Sequence, residues 1–69
     1  MENQNLYNLT EREKEVLKLL IKGLSNIQIA KTLFITNNTS KAHVSSILRK
    51  FGVENRVLAA IVAIRENLV

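Results

Sequence analysis

The sequence predicts an all-α domain of four helices, and three observations carry that prediction. Apolar residues recur at three- and four-residue spacing through most of the chain, and side chains suited to helix N-caps stand ahead of each such run. No stretch alternates apolar and polar residues with the period of a strand. There is no proline, and the two glycines, Gly23 and Gly52, fall where a helical run stops. At 69 residues the chain is a single small domain.

Residues 1–8 are polar and are expected to form a loose arm. The first helix should begin at Thr10, because Thr10-Glu11-Arg12-Glu13 has the spacing in which two side chains satisfy each other's backbone N–H groups. Val16, Leu17, Leu20 and Ile21 then follow at helical spacing, and Gly23 can close the run in the left-handed conformation. The second helix should begin at Ser25, with Gln28 three residues on as a second capping box. Its inward face is Ile29, Ala30 and Leu33, and it should end near Phe34 in a tight apolar turn.

Thr36 caps the third helix, expected over 37–51. Ser40, Val44, Ile47 and Phe51 form one stripe along it. At about 100° per residue, Asn38, Lys41, Ala42, Ser45 and Arg49 gather on the opposite side. The last helix should start near Asn55 and is apolar all the way round from Val57 to Ile64. A surface helix of a monomer has one apolar stripe, so this one is either buried on two sides or the seam with a second copy.

Composition narrows the function. No stretch approaches the ~20 apolar residues of a membrane span, and the polar amino terminus is no signal peptide. Cysteine is absent, which removes disulfides and thiolate metal sites from consideration. The expected setting is therefore soluble and cytoplasmic, and the abundance of Asn, Ile and Lys hints at an AT-rich bacterial or plastid genome. The lone histidine, His43, flanks the core stripe without a partner for metal binding or nucleophilic catalysis. Neither enzymatic activity nor a cofactor or small-molecule ligand is expected.

The formal charge is +4, but its distribution says more. No acidic residue lies between Val16 and Val53, where Lys18, Lys22, Lys31, Lys41, Arg49 and Lys50 all fall. A basic block of this kind is what attraction to phosphate requires. A short capped helix, a tight turn and a longer helix with a polar outer side form the pattern that reads DNA in the major groove. Lys41 and Arg49 suit guanine or phosphate, Asn38 suits adenine, Ser45 suits several bases and Ala42 suits a thymine methyl. Thr36, Asn37 and Thr39 stand at one helix N-terminus, and Ser25 and Asn26 at another, where free N–H groups favour phosphate. Capping alone also explains Ser25, Thr36 and Thr39.

These residues resemble the DNA-binding domain of LuxR-type regulators, also found in NarL-type response regulators and GerE-like proteins. The family's run Leu-Thr-x-Arg-Glu-x-Glu-Val-Leu is matched from Leu9 to Leu17, and its Gly-x-Ser-Asn-x-x-Ile-Ala-x-x-Leu-x-Ile-Ser/Thr from Gly23 to Thr36. Thr-Val-Lys-x-His-Val-x-x-Ile-x-x-Lys-Leu-Gly-Val is matched, with substitutions, from Thr39 to Val53, and Arg56 and Ala59 fit the fourth-helix pattern. The match covers about residues 9–68. Ser40 stands where valine is usual, and Ile27-Gln28 where Lys-Glu is often seen, which removes one lysine.

The resemblance implies a four-helix helix-turn-helix domain binding double-stranded DNA. Lys41, Ala42 and Ser45, with Asn38, would face bases, while Arg49 and Lys50 would clamp the backbone. A homodimer on an inverted repeat is expected, seamed by Leu58 and Val62 with Val57 and Ile61 beside them, and RNA polymerase is a further candidate partner. The chain has no aspartate to carry the phosphate that switches many relatives, so it is either an autonomous regulator or part of a larger one. The competing expectation is a protein-interaction module that docks on another regulator through its last helix and binds DNA weakly or not at all. A membrane-surface role is disfavoured because the last helix has no polybasic face.

Overall fold

The computed structural model describes residues 6–69, which form four helices: α1 (Glu11–Ile21), α2 (Asn26–Leu33), α3 (Asn37–Phe51) and α4 (Arg56–Arg65). No strand is present among the described residues.

Each helix starts where a side chain takes up free backbone N–H groups. Thr10 Oγ1 accepts from Glu13 N at 3.0 Å while Glu13 Oε1 accepts from Thr10 N at 2.9 Å. The Ser25–Gln28 pair repeats the arrangement at 3.2 and 2.8 Å. Thr36 caps α3 through Thr39 N, and Asn55 caps α4 through Leu58 N.

All four helices also end alike. After each last turn one residue takes positive φ, and the following N–H reaches back to a carbonyl five residues earlier: Leu24 to Leu19, Ile35 to Ala30, Val53 to Leu48 and Leu68 to Ala63. Gly23 and Gly52 fill that left-handed position without strain, at φ 90° and 71°. Phe34, at φ 59°, occupies it after α2 and is 95% exposed, so the apolar turn expected here tucks in only Leu33 and Ile35, both partly.

Helix α3 lies against α1 and α2, and α4 closes the bundle against α1 and α3. The core is Leu9, Val16, Leu17, Leu20, Ile29, Val44, Ile47 and Phe51, with Ala59 and Ala63 from α4. The fully buried residues of α4, Ala59 and Ala63, are both alanines, so its backbone sits close, with Ala60 and Val62 partly buried at the margin and Val57, Leu58, Ile61 and Ile64 outside. Of the two alternatives for this helix, burial on two sides is therefore not what is seen.

The expected stripe of α3 is borne out, since Ser40, Val44, Ile47 and Phe51 are all buried. Of the arm expected over 1–8, residues 1–5 lie outside the described residues. Tyr7 is tied down, with its ring edge-on to Phe51 at 4.8 Å and its hydroxyl donating to Glu66 Oε2 at 2.9 Å.

Candidate nucleic-acid interface

The buried stripe of α3 fixes what the helix can offer outside. With Ser40, Val44, Ile47 and Phe51 turned inward, Asn38, Lys41, Ala42, Ser45 and Arg49 are all exposed on one continuous face. Two cations, an amide, a hydroxyl and a methyl form a set able to address base edges and phosphates alike. His43 is half-buried at the margin of the stripe.

The N-terminus of α3 belongs to the same surface. Thr36, Asn37 and Thr39 are exposed, and Thr36 Oγ1 both caps Thr39 N at 3.1 Å and donates to Thr39 Oγ1 at 2.9 Å. Ser25 and Asn26 begin α2, whose first two N–H groups, on Asn26 and Ile27, have no acceptor within the helix. Ser25 is exposed, but Asn26 is half-buried and its Oδ1 accepts from the Arg56 guanidinium.

Lys50 lies elsewhere than expected. Its ammonium reaches inward to Glu13 Oε1 at 2.7 Å and Asn8 O at 2.9 Å, so it ties α3 to α1 instead of standing free as a backbone clamp. The helical angle explains this. Residue 50 falls beside the buried stripe, on the flank that also carries His43, and not opposite it.

Glu13 is itself buried, 4% exposed, and accepts a third hydrogen bond from Ser46 Oγ at 2.5 Å. Burial alone would raise its carboxyl. The hydrogen bonds from Lys50, Ser46 and the Thr10 N–H, with the Lys50 charge, outweigh burial and bring it down to about 2. Arg49 borders this network, with its guanidinium 3.5 Å from Ser46 Oγ, and remains exposed.

Helix α4 presents Val57, Leu58, Ile61 and Ile64 at 65, 41, 42 and 62% exposure. Three of these were expected at a seam. Val62, the fourth expected there, is instead half-buried and packs against the core. Ile64 replaces it in the exposed stripe, because positions 57, 61 and 64 share the face opposite Ala59 and Ala63.

Sequence reasoning found the outward face of α3 but not the residues that hold it. Glu13 and Ser46 fix its seating on α1, and Arg56 holds the start of α2 through Leu24 O at 2.7 Å and Asn26 Oδ1. Glu13 was accounted for by its cap alone. The position of Lys50 beside the apolar stripe is the one sequence signal of an acid across from it.

Over residues 7–63 the sequence matches bacterial regulatory proteins, luxR family. It is 46% identical over 67 residues to the uncharacterized transcriptional regulatory protein YhcZ of Bacillus subtilis, covering 97% of this chain and 31% of that protein. It is 51% identical over 61 residues to the response regulator protein VraR of Staphylococcus aureus, covering 88% of this chain and 29% of VraR. Among solved structures it is similar to the response regulator ChrA of a heme-sensing two-component system, with a TM-score of 0.84 and 44% identity over 88% of this chain and 30% of ChrA. The chain thus spans under a third of the length of these relatives.

Proposed function

Because the chain belongs to the luxR family of bacterial regulatory proteins, we propose that it binds double-stranded DNA sequence-specifically as a transcriptional regulator, with α3 in the major groove. The observation that supports this best is the continuous exposed face of α3, where Asn38, Lys41, Ala42, Ser45 and Arg49 stand clear of the rest of the domain. Lys41, Ala42, Ser45 and Asn38 face bases. Arg49, Thr36, Asn37, Thr39, Ser25 and Asn26 hold the sugar-phosphate backbone. Lys50 serves the domain's own seating, since its ammonium is committed to Glu13.

One helix gives few base contacts, so two copies on an inverted repeat are the economical arrangement. The half-sites would then lie about 10 bp apart from centre to centre. The exposed row Val57, Leu58, Ile61 and Ile64 on α4 is the apolar surface available for pairing.

Selection of bound sequences from random duplexes, followed by a salt titration on the winner, tests the proposal. An enriched inverted repeat is expected, with affinity falling steeply as salt rises. Lys41→Ala should relax preference at one position of each half-site and cost about 1–3 kcal/mol there. No enriched sequence, together with affinity insensitive to salt, would refute it.

A further inference from the structure

Arg56 opens α4 and reaches across to the start of α2. Its guanidinium donates to Leu24 O at 2.7 Å and to the side-chain oxygen of Asn26, thirty residues away in sequence. Guanidinium groups donate and never accept, so the Asn26 atom facing Arg56 has to be the oxygen. The NH2 group of Asn26 is then turned away from α4, and no partner for it is present among the described residues. It lies at the first turn of an eight-residue helix, beside the Asn26 and Ile27 backbone N–H groups that have no helical acceptor.

Resting on the DNA-binding reading above, we propose that Arg56 is a positioning residue for DNA binding: by holding the Asn26 oxygen against α4, it aims the Asn26 NH2 group at a backbone phosphate. Without Arg56 the amide is free to rotate, and its oxygen, which repels phosphate, faces outward part of the time. The same guanidinium fixes the Leu24 carbonyl, so the loop between α1 and α2 moves with α4. The α4 helix therefore carries both the exposed apolar row and the ligature that sets the start of α2.

The test is a double-mutant cycle on duplex DNA, with folding of each variant checked by circular dichroism. Asn26→Ala should weaken binding about tenfold, as expected for one hydrogen bond to a charged acceptor. Arg56→Gln should cost about as much in the wild-type background and less than twofold when Asn26 is already alanine. Arg56→Lys, which can still donate to the Asn26 oxygen, should recover most of the loss. The slope of log affinity against log salt should stay unchanged in all of them, because no cation on the phosphate has been removed.

Multiplicative losses in the double variant would overturn the proposal, as would a salt slope flattened by about 0.9 on removing Arg56, which would make Arg56 itself the phosphate contact. Should the Arg56 variants fail to fold, the Asn26 side-chain amide signals in NMR decide with the wild-type protein. They should shift when duplex is added, and unmoved signals at saturation would overturn the positioning role. Failure of the wild type to bind any duplex would instead remove the DNA-binding reading itself, and this proposal with it.

Discussion

Replacing Glu13 by glutamine should cost the domain about 3 kcal/mol at neutral pH and almost nothing near pH 2. The carboxylate is 4% exposed and accepts from Lys50 Nζ at 2.7 Å, Ser46 Oγ at 2.5 Å and Thr10 N at 2.9 Å. These bonds hold its pKa at about 2, against 4.5 for a free glutamate. At about 1.36 kcal/mol for each pH unit, that gap is worth about 3 kcal/mol. Breaking a buried pair by removing one partner typically costs 3–5 kcal/mol. The low end applies here because the Lys50 side chain is 25% exposed and can turn to water. A lowered folded-state pKa stabilises the fold at pH values above 4.5, and this contribution disappears as pH falls through about 2.

Urea unfolding followed by circular dichroism at pH 7 and at steps down to pH 2 measures both variants. The two curves should stand about 3 kcal/mol apart at pH 7 and converge in acid, with unchanged denaturant slopes. In a domain of this size the neutral-pH difference lowers Tm by about 12–24 °C. Curves that stay parallel to pH 2, or that differ by under about 0.5 kcal/mol at pH 7, would refute the reasoning.

Three further substitutions test other features. Ser40→Ala should stabilise the domain by about 1 kcal/mol or more in the same unfolding assay, because the Ser40 hydroxyl is fully buried with no hydrogen-bond partner among the described residues. Phe34→Gly should be neutral or raise stability by up to about 1 kcal/mol: it relieves the left-handed conformation of a side chain that packs on nothing, offset by glycine's greater freedom when unfolded. A loss of more than about 1 kcal/mol would show that Phe34 supports the turn. Ile61→Glu, on the exposed row of α4, should leave Tm within a few degrees of the wild type while abolishing self-association in sedimentation equilibrium and weakening binding to a two-half-site duplex. Unchanged self-association would remove α4 as the seam.

What could be read in the sequence was what a single helix imposes on itself. The caps of all four helices follow from residues three apart, and the buried and exposed sides of α3 from the turn of the helix alone. Helix α4 resisted that reading because every position from Val57 to Ile64 is apolar, so periodicity carries no direction. Its orientation comes from size instead, since Ala59 and Ala63, two small residues one turn apart, allow the close approach to α1 and α3, with Ala60 partly buried beside them. Val62 was misplaced for the same reason.

The residues that seat the outward face were invisible for a different cause. Glu13 meets Ser46 and Lys50 across 33 and 37 positions, and Arg56 meets Asn26 across 30, so no local spacing announces either pairing. Their consequence lies in leverage. Apolar contacts between α3 and α1 are non-directional, so they set distance more firmly than register. A buried carboxylate with three directional hydrogen bonds sets the register. Arg56 does the same for α2, since two bonds from one rigid, planar group fix both a loop carbonyl and a side-chain rotamer. Shape is therefore set by apolar periodicity, whereas the register of the outward face is set by two polar ligatures at opposite ends of the helix pair. Substitutions at Glu13 and Arg56 that leave the four helices folded should therefore still change how the outward face is seated.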